Sequence, residues 1–256
     1  MPKKSLGQHW LKNRDILEQI ADLAITDIDG DIPQAQLCLE IGPGLGFLTS
    51  SLLRRFEKVI AVEFDSDLAR KLPGSFPGKN LQVVEQDILQ YDFEQIQEPY
   101  IVAGNIPYYL TSPLIHKLLT VQPTPERIVL LIQKEVAERA VAKTGKHTYL
   151  SLLISNYADA TLGPVVKRAE FTPPPKVDSQ VLVLRPHTPI VQDAVLNFIK
   201  IGFSAPRKKL VANLANGLHL PRETIMDIFS KLNLGIDNRP ADLSLAEWKQ
   251  LFKMLK

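Results

Sequence analysis

Apolar positions along the chain come in two textures. Short unbroken runs, Leu37 to Ile41, Val59 to Phe64, Leu81 to Val84, Tyr100 to Ala103 and Arg127 to Gln133, read as strands buried on both faces. Between them the spacing turns helical. Ile16, Leu17, Ile20 and Leu23 share one face of a helix that Asn13 can cap, and Phe47 to Arg55, Thr111 to Val121, Lys134 to Lys143 and Tyr149 to Tyr157 follow suit. Thr26 to Gln36, rich in Asp, Gly and Pro, is a loop. Two more strands, Thr161 to Phe171 and Ser179 to Leu184, flank the stiff segment Thr172-Pro-Pro-Pro-Lys176, and so short a connection predicts that they run antiparallel. Alternating strands and helices that end in such a hairpin predict an α/β fold with a seven-stranded, mostly parallel open sheet.

From about His187 no strand runs remain. Helical patterns occupy Ile190 to Gly202, Lys208 to Leu218, Pro221 to Leu232 and Ser244 to Leu255. The break at Arg185 to Pro189 predicts two domains, 1–186 with an N-terminal arm at 1–14, and an all-helical 187–256.

The glycine loop that follows the first strand changes the picture most. Glu40-Ile-Gly-Pro-Gly-Leu-Gly46 joins strand to helix, and Gly42 and Gly44 let backbone approach a ligand closely. Phe47 stands where a dinucleotide fingerprint carries its third glycine, which weakens a nicotinamide dehydrogenase reading. Glu63 ends the second strand, where an acid accepts hydrogen bonds from ribose hydroxyls, and Asp87 lies just past the third. Three successive strand ends carrying Gly, Glu and Asp outline an adenosine-shaped cleft.

The fourth strand runs into Asn105-Ile106-Pro107-Tyr108, beside the first in such a sheet. An amide oxygen, a backbone carbonyl and an aromatic ring suit a flat base bearing an exocyclic amine. The alternative is a turn that merely uses Asn and Pro. Phe171, heading the Pro-rich segment, suits either the opposite wall of a base pocket or a packed hydrophobic corner.

Bulk properties add bounds. In 256 residues, 45% of them hydrophobic, there is enough apolar surface for one full core and a small appendage. No run is long enough to span a membrane, the polar start lacks a secretion signal, and the single cysteine, Cys38, sits in a buried strand. A cytoplasmic protein is expected. Five histidines and one cysteine fall at no metal-ligand spacing, so no metal is expected. The net charge of +2 is modest, but basic residues cluster at Lys3, Lys4, Lys12 and Arg14, at Lys143, Lys146 and His147, and at Arg207, Lys208 and Lys209. Each cluster is either a solvated face or part of a phosphate-binding surface.

Taken together, the chain resembles the ribosomal RNA adenine N6-dimethyltransferases, in particular the small-subunit (16S) enzymes of the bacterial kasugamycin-sensitivity type. The resemblance rests on Lys4-Ser-Leu-Gly-Gln-His-Trp-Leu11, Glu40 to Gly46, Glu63-Phe-Asp65, Gln86-Asp87, Asn105 to Tyr108, Gln133 to Arg139 and Phe171 to Ser179. It implies a Rossmann-like class I methyltransferase sheet with a helical C-terminal domain that docks RNA. It also implies S-adenosylmethionine as methyl donor, held by Gln8, His9, Leu11, Gly42, Gly44, Glu63, Phe64, Asp87, Ile88 and Asn105. Asn105, Ile106, Pro107, Tyr108 and Phe171 would form the catalytic pocket, with Tyr108 and Phe171 sandwiching a flipped adenine. The implied partner is small-subunit ribosomal RNA in a partly assembled subunit, contacted by Lys143, Lys146, Arg207, Lys208 and Lys209, with the protein acting as a monomer.

The sequence departs from the family at Ile106 and Tyr109, where Leu and Asn are usual, and at Pro206-Arg-Lys208 and Arg239-Pro-Ala-Asp242. The Ile-Pro-Tyr form also occurs in macrolide-resistance methyltransferases acting on large-subunit (23S) RNA, so that activity is one alternative. A non-catalytic assembly or transcription factor on the same fold is the other, and intact Glu63, Asp87 and Asn105 to Tyr108 count against it.

Overall fold

The computed structural model describes residues 7–26, 33–142 and 145–255. Lys3, Lys4 and Lys143 lie outside them. Two compact units emerge, Met1–Ala137 with Asp159–Pro186, and Glu138–Ala158 with His187–Lys256. The segment 138–158 therefore groups with the helical unit, where the sequence pattern keeps it with the sheet; its helix packs against the late helices described below.

In the first unit a short strand β1 (Trp10–Leu11) leads into α1 (Arg14–Ile25), whose N-terminus is capped by Asn13 Oδ1, accepting from the amides of Asp15 at 3.1 Å and Ile16 at 3.3 Å. Then follow β2 (Leu37–Ile41), α2 (Phe47–Leu52), β3 (Lys58–Glu63), α3 (Ser66–Lys71), β4 (Leu81–Glu85), β5 (Tyr100–Asn105), α4 (Thr111–Thr120) and β6 (Arg127–Gln133). Beyond α5 (Lys134–Ala140) and α6 (Tyr149–Tyr157), the chain adds β7 (Ala158–Val166), β8 (Phe171–Thr172) and β9 (Ser179–Pro186).

Seven strands form one sheet in the order β4-β3-β2-β5-β6-β9-β7. β2 is parallel to both β3 and β5, β5 is parallel to β6, and β9 inserts antiparallel beside β6. Every residue of β2 is buried, as expected of a strand covered on both faces. Strand order reverses between β2 and β5, which opens a crevice beyond their carboxyl ends. Leu17, Ile20, Ala21 and Ala24 of α1 pack into a core with Val59, Ile101, Val129 and Val181.

One departure from the sequence pattern matters for the site. The apolar run Thr161 to Phe171 is not a single strand. β7 stops at Val166, a 3-10 turn covers Arg168–Glu170, and Phe171 and Thr172 leave the sheet to pair antiparallel with Leu11 and Trp10.

The second unit holds α6 and the helices α7 (Asp193–Gly202), α8 (Leu210–Leu218), α9 (Arg222–Lys231) and α10 (Leu245–Leu255). α6 packs against α7 and α10. Trp248 is fully buried, edge-on to Phe198, and Asn213 ties the end of α7 to the next turn by donating to the carbonyls of Gly202 at 2.6 Å and Ala205 at 2.9 Å.

Candidate active site

A cleft of about 350 Å³ lies at the carboxyl ends of β2, β3, β4 and β5, entirely within the first unit. Its floor is the loop from β2 into α2. Gly42 donates its amide to Val62 at 2.9 Å, and Gly42, Gly44 and Gly46 all have positive φ. At Gly46 (φ 83°) a Cβ would sit 2.8 Å from both Leu72 and Phe76, so backbone conformation and packing each demand glycine. At Gly44 a Cβ would touch the Trp10 indole at 3.5 Å, so the arm lies directly on the loop.

Glu63 Oε2 accepts from the Gly44 amide at 3.0 Å and Oε1 from the Asp65 amide at 2.8 Å. The carboxylate thus fixes the loop, and its remaining lone pairs are what a ligand can use. Burial raises its pKa against these two amide contacts. Asp87 Oδ1 accepts from the Leu89 amide at 2.9 Å, and Ile88 and Leu89 add apolar wall. Lys117 of α4 anchors that segment by donating to the carbonyls of Leu89 at 2.7 Å and Tyr91 at 2.9 Å.

Opposite stand the end of β5 and the arm. Asn105 Nδ2 donates to the His9 carbonyl at 3.0 Å, which orients the amide and leaves Oδ1 as acceptor. His9 Nδ1 lies 2.7 Å from the Pro173 carbonyl oxygen, to which it donates, and its ring stacks on Tyr108 with centroids 6.0 Å apart. Tyr108 Oη bonds Ser179 Oγ at 2.9 Å, and burial raises the phenol's pKa against this hydrogen bond. Gln8 donates to Asp65 at 3.2 Å. Ile106 and Leu11 are buried, and Pro107 lines the mouth. Phe171 also lines the cleft but is only 3% exposed and belongs to the core, so most of its ring is already in contact with protein. The structure brings together Gln8, His9, Leu11, Gly42, Gly44, Glu63, Phe64, Asp87, Ile88, Asn105, Ile106, Pro107, Tyr108 and Phe171 around this one cleft.

A family model described as "Ribosomal RNA adenine dimethylase" matches residues 2–256. The chain belongs to that family. Within it, the chain is 37% identical to "Ribosomal RNA small subunit methyltransferase A" of Dehalococcoides mccartyi strain BAV1, over 97% of this chain and 87% of the relative. It is 38% identical to the protein of the same name from Nostoc sp. strain PCC 7120, over 99% and 98%. Among solved structures it superposes on a dimethyladenosine transferase from Plasmodium falciparum with a TM-score of 0.78 and 30% identity, covering 95% of this chain and 96% of that one. The 23S rRNA methyltransferase ErmE gives a TM-score of 0.73 and 27% identity, over 96% and 99%. The fold is thus that of the class I methyltransferases, and the protein is a ribosomal RNA adenine dimethylase.

Glu40 opens the glycine-loop motif, and although the sequence assigns it no role, it belongs to the site of this dimethylase. It lines the cleft, is 1% exposed, and neither carboxyl oxygen has a hydrogen-bond partner. Burial pushes its pKa up to about 8; the nearby Thr49 lowers it without closing a full hydrogen bond, and the Glu63 charge raises it again. The available signal was a lone carboxylate within an apolar run. Trp10, Leu45, Phe47 and Tyr109, to which the sequence motifs assign no ligand contact, line the cleft too; with Phe64 (61% exposed) and Tyr109 (65% exposed), the cleft is rimmed by apolar and aromatic groups.

The expected RNA contacts fall elsewhere. Arg207 and Lys208 are exposed in the turn before α8 rather than in its first turn, and Lys209, at the cap, pairs with Asp237. Lys146 is exposed in a turn pinned by the Ala241 carbonyl, which accepts from the amides of Gly145 and His147. Among the described residues no helix is long and apolar enough to cross a membrane.

Proposed function

We propose that this protein transfers methyl groups from S-adenosylmethionine to N6 of two adjacent adenosines near the 3′ end of small-subunit ribosomal RNA. In this reading it works as a cytoplasmic monomer on a partly assembled subunit. One observation carries the chemistry: the Asn105 amide is locked onto the His9 carbonyl, so its oxygen is the acceptor presented to the cleft beside Tyr108.

The cleft suits the donor. S-adenosylmethionine is a cationic amino acid joined to adenosine, and the walls offer an unpartnered buried carboxyl at Glu40, spare acceptor capacity on Glu63 for ribose hydroxyls, and the second oxygen of Asp87 for an adenine amine. Leu11 and Ile88 supply apolar surface for the base. When bound, the donor supplies an electrophilic methyl group. On the target side, Tyr108, tethered through Ser179, offers a ring face for a flipped base. Asn105 Oδ1 and a backbone carbonyl of the Asn105 to Tyr108 turn accept the two amine hydrogens. Holding them there draws the nitrogen lone pair out of conjugation and aims it at the donor. The amine would bond the methyl carbon as the methyl–sulfur bond breaks and leaves its electron pair on a neutral thioether, and no strong base would be needed, because the product ammonium loses its proton to water.

The small-subunit assignment draws its support from relatives bearing that name at 37% and 38% identity, against 27% for ErmE. The test incubates the protein with labelled donor and separately purified small and large subunits, then maps the labelled base. Label confined to paired adenosines near the small-subunit 3′ end supports the proposal. Label in the large subunit replaces it with the resistance-type activity.

A further inference from the structure

A second groove, of about 500 Å³, runs alongside the cleft between the arm and α2, and shares Leu17, Leu45 and Phe47 with it. Its charged lining is Lys12, Arg14 and Arg54 against a single carboxylate, Glu18. That carboxylate is already engaged: it pairs with Arg54 and with Arg55 at 2.8 Å, and accepts from Ser51 Oγ at 2.9 Å. The Arg55 contact lowers its pKa against the opposing effect of burial, as expected of a carboxylate held by these partners. Lys12 and Arg14 are exposed and make no ion pair among the described residues. Beside these cations Leu45 (41% exposed) and Phe47 (37% exposed) present apolar surface to solvent. Phe47 opens α2, a place where a soluble helix gains by carrying a polar or acidic residue, and the first turn of α2 has no acid at all.

Uncommitted cations interleaved with an exposed ring match a polyanion that carries flat bases. An adenine can enter the cleft only by leaving its strand, so the nucleotides on either side of it must pass over the rim. We propose that this groove is a binding site for single-stranded RNA flanking the target adenosine, with Lys12 and Arg14 on phosphates and Phe47 under a neighbouring base. The inference rests on the RNA-methylating function proposed above and adds to it a site in the sheet-bearing unit, separate from the basic residues of the helical one.

The test uses the full-length protein and whichever unmethylated ribosomal subunit the wild type modifies. Lys12→Gln with Arg14→Gln should weaken subunit binding about ten-fold at moderate salt and flatten the plot of log affinity against log salt by about 1.4, the yield of two single-strand phosphate contacts. Donor affinity by calorimetry should stay at the wild-type value, since neither side chain lines the donor cleft. Separately, p-benzoylphenylalanine in place of Phe47 should photocrosslink to nucleotides flanking the methylated adenosine. Wild-type affinity and slope in the double variant, or crosslinks only to RNA remote from the target, would overturn the groove. Wild-type methylation measured alongside separates that result from a failure of the function itself.

Discussion

Glu40 makes a strong claim on pH dependence. Its carboxyl is 1% exposed with neither oxygen bonded, and its pKa is pushed to about 8 from an ordinary 4.5. Between those two values the folded protein holds a proton that the unfolded chain has released. Stability therefore falls as pH rises through that window and levels off above it. At about 1.4 kcal/mol per pKa unit, the full shift corresponds to roughly 5 kcal/mol. Part of it is shared with Glu63, whose own pKa is raised, so roughly 2–4 kcal/mol is expected for Glu40. Glu40→Gln keeps the volume and removes the ionisation. Urea denaturation from about pH 5 to pH 8.5 should show the wild type losing roughly 2–4 kcal/mol more than Glu40→Gln. A cationic donor favours the charged carboxylate, so calorimetry in buffers of different ionisation enthalpy should show proton release on donor binding at neutral pH, absent in the variant. Parallel stability curves for the two proteins would refute the reasoning, because the burial penalty would then lie elsewhere.

Other outcomes follow from the same geometry. Asn105→Ala should lower single-turnover methylation by a factor on the order of 10²–10³, with RNA affinity little changed, as measured by rapid quench at saturating donor. Gly46→Ala should cost about 1–3 kcal/mol in denaturation, since φ is 83° and the new Cβ meets Leu72 and Phe76. Lys117→Met should weaken donor binding and lower Tm together, because it releases the carbonyls of Leu89 and Tyr91 beside Asp87. Replacing Arg207 and Lys208 with Gln should flatten the salt dependence of RNA binding by up to about two, and adding Lys209→Gln should change it less, given its pairing with Asp237.

The parallel strands were legible because doubly covered strands write themselves as unbroken apolar runs, and the glycine loop because positive φ leaves few alternatives to glycine. Glu63, Asp87 and Asn105 could be placed by being strand ends in a sheet of known logic. Glu40 could not, since one carboxylate in Leu37 to Ile41 looks like a break in the pattern until its burial is seen. Phe171 was folded into the preceding strand because its apolar run continues to it; its true partner, Leu11, lies far back in the chain and leaves no local trace. The Lys209–Asp237 pair was hidden for the same reason of distance along the chain.

The ribbon that joins β1 to β8 also bears on how the protein is made. Every residue of the glycine loop, Glu63, Asp87 and Asn105 has left the ribosome well before Phe171, Pro173 and Ser179 emerge. Until they do, the arm has no strand to pair with, His9 lacks the carbonyl it donates to, and Tyr108 lacks its hydroxyl partner. Pairing across so long a stretch of chain is slow to form, because loop-closure entropy is paid before the contact rewards it. A nascent chain stopped after β6 thus carries every residue proposed to hold the donor yet no finished cleft, and the cleft is completed only once synthesis has passed β8 and reached the start of β9.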